Sequence, residues 1–83
     1  MSYEEVKQAN QLFVGTKQAT RAVQLGKADK VIIANDADPR LTIKVASLCT
    51  KAGVEVDYVE SMKLLGKACG IEVGAAVVAI VIE

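Results

Sequence analysis

Two stretches of this chain are apolar residue after residue, and they dictate the architecture. Lys30 is followed by Val31-Ile32-Ile33-Ala34, and residues 75–82 run Ala-Ala-Val-Val-Ala-Ile-Val-Ile. Both have strand length and are rich in β-branched side chains, so both read as strands. Successive side chains of a strand point to opposite faces, so a run that is apolar throughout needs cover above and below. Such strands belong inside a sheet that carries helices on both sides.

The rest of the chain supplies that cover. Residues 3–11 read as a helix, with Ser2 as its cap and Glu4-Glu5 in a first turn where acids suit the dipole. Leu12-Phe13-Val14 is a brief strand that ends at Gly15. Residues 16–25 form a helix with Ala19, Ala22 and Val23 on one face and Lys17, Gln18, Arg21 and Gln24 on the other, ended by Gly26. Asp38 as cap and Pro39 at the first helical position open the next helix. Leu41, Val45, Leu48 and Cys49 follow at helical spacing as far as Gly53. Residues 54–59 alternate strictly, as a half-exposed edge strand does, and Ser61 caps a helix that runs to Cys69. The expected fold is α/β: a three-layer α-β-α sandwich on a short, mixed four-stranded sheet, with residues 1–83 as a single domain.

Composition narrows the function. Ten basic and ten acidic residues cancel, so the chain is no general polyanion binder. The charges are segregated, however. Lys7, Lys17, Arg21 and Lys27 span residues 7–27 without a single acid, and residues 61–70 carry Lys63 and Lys67 and no acid. A local basic surface can therefore exist on a neutral molecule. Aromatic residues make up 4% and Trp is absent, which argues against single-strand binding on stacked aromatic platforms. No signal peptide opens the sequence, and its longest apolar run is too short to span a bilayer. Cys49 and Cys69 lack metal spacing and read as small buried thiols in a reducing cytoplasm.

An enzyme reading finds little to work with. There is no histidine, and Ser2, Ser47 and Ser61 have no base partner visible in the sequence. Asp36 and Asp38 form an Asp-x-Asp pair that suits Mg²⁺, although Pro39 directly after favours a helix cap and a solvated turn. Gly66 and Gly70 fit small-xxx-small spacing, read here as helix packing and a helix end. The Gly15-Thr16-Lys17-Gln18 segment points elsewhere. A glycine leads into a helix whose first amides face outward, a ready site for phosphate or electron-rich base edges. Lys17, Gln18 and Arg21 share one face there. A lysine at a helix start is mildly unfavourable unless an anion docks, and a solvated polar face is the other reading. Ile71-Glu72-Val73, after Gly70 and close to Lys63 and Lys67, forms a loop that shows aliphatics beside backbone amides. Such a loop suits an unstacked nucleotide.

Three blocks, in this order and spacing, resemble the kink-turn-binding ribosomal protein family. They are Gly15-Thr16-Lys17-Gln18-x-x-Arg21, Val31-Ile32-Ile33-Ala34-Asn35-Asp36-Ala37-Asp38-Pro39 and Leu65-Gly66-Lys67-Ala68-Cys69-Gly70-Ile71-Glu72-Val73. The archaeal large-subunit protein L-seven-Ae typifies that family, and the short form here looks like its bacterial members of the YbxF type. The resemblance covers essentially the whole chain. It implies an α-β-α sandwich that binds a sharply bent, bulged RNA duplex with tandem sheared guanine–adenine pairs.

Carried over, the resemblance places Gly15, Thr16, Lys17, Gln18 and Arg21 at the guanines and Ile71, Glu72 and Val73 over the flipped bulge bases. Lys27, Lys63 and Lys67 are weaker candidates for phosphate contacts. Gly70 and Gly74 are expected to let the loop backbone approach the RNA. Many members have Asn-Glu where this chain has Lys17-Gln18, and lysine where it has Met62. Lysine still donates to guanine O6 and N7, and the Gln18 amide oxygen still accepts, without the strength of a carboxylate.

The resulting expectation is a cytoplasmic, monomeric, non-enzymatic protein with no cofactor and no metal. Its partner would be a structured RNA, ribosomal RNA among the candidates, with neither DNA nor membrane. Two other classes stay open: a protein-docking module that uses the acidic edge 54–59, and a metal or small-ligand binder that uses Asp36 and Asp38.

Overall fold

A computed structural model of the chain describes residues 2–82; the Ser2 side chain, and with it the cap expected there, lies outside what it describes. The elements run α1 Ser2–Gln8, β1 Gln11–Val14, α2 Thr16–Gln24, β2 Lys30–Ala34, α3 Pro39–Ala52, β3 Glu55–Val59, α4 Met62–Ala68 and β4 Val77–Val81. The four strands form one mixed sheet in the order β1-β4-β2-β3. β4 is antiparallel to both of its neighbours, and β2 is parallel to β3.

The two uninterrupted apolar runs occupy the middle of the sheet, and each feeds two cores. On one face Ile32, Ala34, Val78 and Ile80 join Val6 of α1 and Leu65 of α4. On the other, Val31, Ile33, Val77 and Ala79 pack against Ala19, Ala22 and Val23 of α2 and Val45 and Cys49 of α3. The expected α-β-α sandwich is thus present, with α1 and α4 in one outer layer and α2 and α3 in the other. The small residues of α2 and α3 let the helices sit close to a sheet whose own side chains are branched.

Several boundaries shift for identifiable reasons. The first helix stops at Gln8 and Gln11 enters β1, because Gln11 to Val14 pair with Val81 to Val78 along β4. The last strand is shorter than its apolar run, since Ala75 and Ala76 belong to the preceding loop; they are apolar because Ala75 is buried and Ala76 packs against both cores. Leu41, expected on the inner face of α3, is exposed, and Ile43 is more so. The buried face of α3 is carried by Val45 and Cys49. Cys69 closes α4 and is half-buried rather than fully enclosed. Burial raises the pKa of both thiols.

Lys30 is the one buried charged residue among those described. Its ammonium lies 2.7 Å from Glu5 of α1, 3.1 Å from Asp57 and 3.6 Å from Glu55 of β3. Parallel pairing sets Lys30 beside Glu55 and Ile32 beside Asp57, so both acids share a face with the lysine. The acidic side of the 54–59 strand is therefore turned toward a cation of the chain itself, which offsets part of the charge on which docking to a basic partner would rest. The hydrogen bond to Glu5 raises the Lys30 pKa above the ordinary lysine value; desolvation opposes this, and Asp57 adds to the rise.

A raised native pKa means that this contribution to stability is complete below the unfolded lysine value of about 10.4 and fades only as pH climbs through the higher native one. Lys30→Met should cost about 1–3 kcal/mol, less than a fully enclosed pair because water still reaches the carboxylates. In urea titrations the deficit should stay constant from about pH 7 to pH 9 and shrink only in strong alkali. A deficit that already narrows between those two values would contradict the assignment.

Candidate nucleic-acid interface

The antiparallel β1–β4 ladder joins the residue that opens α2 to the residue that follows the 71–76 loop. Val14 pairs with Val78, and the next amide, that of Gly15, donates to the Val77 carbonyl at 2.9 Å. Gly15 starts α2, and Val77 follows directly on the 71–76 loop. On the other side of that loop's end, the Ala34 amide donates to the Ala76 carbonyl at 2.9 Å. Segments more than fifty residues apart in the chain thus meet at one end of the sheet.

Gly15 has φ +96° and ψ 157°, a conformation that a side chain strongly disfavours. This turn lets the chain leave β1 and enter α2 within one residue. No side chain caps α2, so its first amides have no side-chain acceptor and its positive end stands open. Gly15 and Thr16 are half-buried, while Lys17, Gln18 and Arg21 are exposed. Ala19, Ala22 and Val23 anchor the opposite face of the helix. Lys17 and Arg21 line a shallow depression together with Thr20 and Gln24. Thr20 was not singled out from the sequence, and its place one residue before Arg21 on an otherwise anchored helix was the available signal.

The 71–76 loop runs back along α4. The Ile71 amide donates to Gly66 and the Ala75 amide to Met62, at 3.1 and 3.0 Å. Gly66 is buried, and a Cβ built on it would run into the Val73 carbonyl oxygen, so its bareness is what lets the loop lie flat on the helix. Gly74 does similar work, since a Cβ there would press within 3.2 Å of the Met62 Cβ. A packing role thus stands beside the one expected of it toward RNA. Gly70 has φ +82° and open space around it, so it serves the turn out of α4.

The loop divides its two aliphatics. Ile71 is half-buried against the α1/α4 core, while Val73 is 70% exposed and Glu72 is exposed. Among the lysines, Lys63 lies in the first turn of α4, at the site end. Lys67 lines a groove on the α1 side with Tyr3, Lys7, Leu64 and Ala68. Lys27 is held beyond the far end of α2, where its amide bonds Ala22, and so stands apart from the helix start.

Asp36 and Asp38 act as caps. Asp38 accepts from the Arg40 amide at 2.9 Å and takes the Arg40 guanidinium through both oxygens. That arginine holds the Asp38 carboxyl below its ordinary pKa. Asp36 accepts from the Met62 amide at 2.8 Å. Ser61 accepts from Leu64 as expected of a cap.

The molecule is therefore a small α-β-α sandwich with an uncapped, basic helix start beside a loop that exposes an aliphatic side chain. Residues 2–83 match the model of the ribosomal protein L7Ae/L30e/S12e/Gadd45 family, and the chain belongs to that family. An RNA-binding protein of Geobacillus sp. strain WCH70 is 57% identical over 81 residues, covering 98% of this chain and 99% of its own length. The large ribosomal subunit protein eL8 of Halobacterium salinarum is 36% identical, over 96% of this chain and 68% of its own. Among solved structures, the Giardia lamblia 15.5kD RNA binding protein superposes with a TM-score of 0.86 at 34% identity, covering 95% of this chain and 69% of its own.

The cradle at Gly66 yields a direct test. Gly66→Ala should destabilise the protein by about 1–3 kcal/mol, the usual range for an overpacked site. Proton NMR should show the disturbance centred on residues 71–75, with the α2/α3 core unchanged. A native melting temperature and native loop shifts would refute the cradle.

Proposed function

We propose that this chain is a non-enzymatic RNA-binding protein that recognises and stabilises kink-turns. The observation that carries the reading is the meeting of Gly15 and Val77, which sets the α2 start and the end of the 71–76 loop at the same end of the sheet. The open end of α2 offers amides and positive charge to phosphate and guanine edges. Lys17 and Arg21 would donate to guanine O6 and N7 or to phosphate, and Gln18 would accept from a sheared guanine. Val73 would pack on the exposed face of an unstacked bulge base, with Ile71 supporting it from below and backbone groups near Glu72 hydrogen-bonding it. This division suits RNA readers, which recognise bases that bulges have splayed out. Lys63 would steer phosphate, and Lys67 and Lys27 would contribute only at longer range.

A free kink-turn exchanges between extended and bent forms, and a protein that binds only the bent one shifts that population. In this reading the protein works as a single-domain monomer in the cytoplasm, without cofactor or metal. Structured RNA is its partner, ribosomal RNA being one candidate. The naming of several relatives as RNA-binding proteins supports the reading.

The test is a titration of a kink-turn RNA beside a copy whose sheared pairs are replaced by Watson–Crick pairs. The bent form should bind far more tightly, and equal affinities would sink the proposal. Lys17→Ala should weaken binding by about 1–3 kcal/mol if Lys17 reads a guanine. An unchanged dissociation constant would remove that residue from the site.

A further inference from the structure

We infer that Asp36 is a positioning residue for the RNA-facing loop, acting through Met62; this rests on the kink-turn reading above. Among the described residues, the Asp36 side chain makes no hydrogen bond to the α2 start or to the loop. Its Oδ1 accepts from the Met62 amide at 2.8 Å, between groups 26 residues apart in sequence. Met62 is the first residue of α4, so this amide is one of those the helix cannot satisfy internally. Ser61 takes the Leu64 amide through its own side chain. The first turn of α4 is thus capped twice, once locally and once from the turn after β2.

The second cap does what the first cannot. Ser61 caps its own helix locally, whereas Asp36 reaches α4 from the turn after β2. The neighbouring Asn35 amide donates to the Val59 carbonyl at 2.6 Å, and the Ala34 amide to Ala76 at 2.9 Å. Asp36 therefore locks the start of α4 to the sheet end. Met62 passes the constraint on. Its carbonyl accepts from Ala75 at 3.0 Å, and its Cβ forms the floor against which Gly74 rests. From Asp36 to Met62 to Ala75 runs one continuous path of contacts, ending in the loop that presents Val73. A negative charge facing the start of α4 also suits the helix dipole. Without Asp36 the first turn of α4 is free to shift, and the loop shifts with it, because Gly66 and Gly74 make the loop follow the helix surface closely.

The inference separates two kinetic effects. Encounter with RNA depends on the lysines and Arg21, which Asp36 does not hold, so the association rate should persist. Dissociation depends on how firmly the loop is set. With kink-turn RNA, Asp36→Ala should raise the dissociation rate about tenfold, the size expected for loss of one helix cap. Its association rate should stay within about twofold. Asp36→Asn retains an acceptor oxygen and should restore most of the loss. Hydrogen exchange should quicken at the Met62 and Ala75 amides of Asp36→Ala, while Ile32 and Val78 in the sheet keep native protection.

A native dissociation rate, or native protection at Ala75, overturns the inference. Exchange that quickens equally at Ile32 and Val78 also overturns it, because Asp36 would then serve only general stability. Should the unsubstituted protein fail to prefer kink-turn RNA, the functional reading falls. Ala75 exchange in the two variants then decides the positioning role alone.

Discussion

Strand β4 is the member on which the structure depends. It comes last in the sequence and lies between β1 and β2, antiparallel to both. Its alternate side chains enter both cores, Val78 and Ile80 on one face and Val77 and Ala79 on the other. Neither outer helix layer can bury its apolar face fully until β4 is in place. The ladder it makes with β1 joins residues 11–14 to residues 78–81, a contact between segments far apart in the sequence that needs a long loop to close. Helix starts and local caps can form early; the sheet that makes them useful forms only once β4 is in place.

The same ladder produces the candidate interface. A strand that ends in a glycine of positive φ turns at once into α2. The partner strand begins where the 71–76 loop ends. Hydrogen bonds from Gly15 to Val77 and from Ala34 to Ala76 then bring helix start, loop and β2 turn to one end of the sheet. Charge follows a matching division. Glu5 of α1 and both acids of β3 gather about Lys30, while α2 presents Lys17 and Arg21 with no acid among its residues. A chain with zero net charge thereby keeps a basic helix face for an anionic partner, with three of its carboxylates gathered at Lys30.

The elements and the three-layer architecture were legible because apolar period and helix punctuation agree with the fold. Val31 to Ala34 announced a central strand, Asp38-Pro39 and Ser61 announced helix starts, and residues 54–59 announced an edge. Other features were not legible, each for a physical reason. Lys30 looked like the polar end of a strand, because nothing local shows that Glu5, Glu55 and Asp57 converge on it. Leu41 fitted the helical period of α3 yet faces outward, since the sheet beneath has room only for the Val45 and Cys49 side. Gly74 seemed reserved for a ligand, but Met62, twelve residues earlier, lies beneath it. Asp36 read as part of a solvated turn more readily than as half of a metal pair, and its partner is an amide on a distant helix.

By itself, then, the sequence determined the elements, their apolar faces, the basic character of the α2 start and the presence of an aliphatic loop. These depend on local periodicity, caps and turns, which neighbouring residues write directly. Only the tertiary structure decided that Gly15 would sit against Val77, that Ile71 would be tucked inward while Val73 faces out, and that Asp36 would hold α4. Those outcomes depend on strand register and on where one backbone passes over another. A register is fixed by the joint fit of two buried faces, and no single segment carries that information.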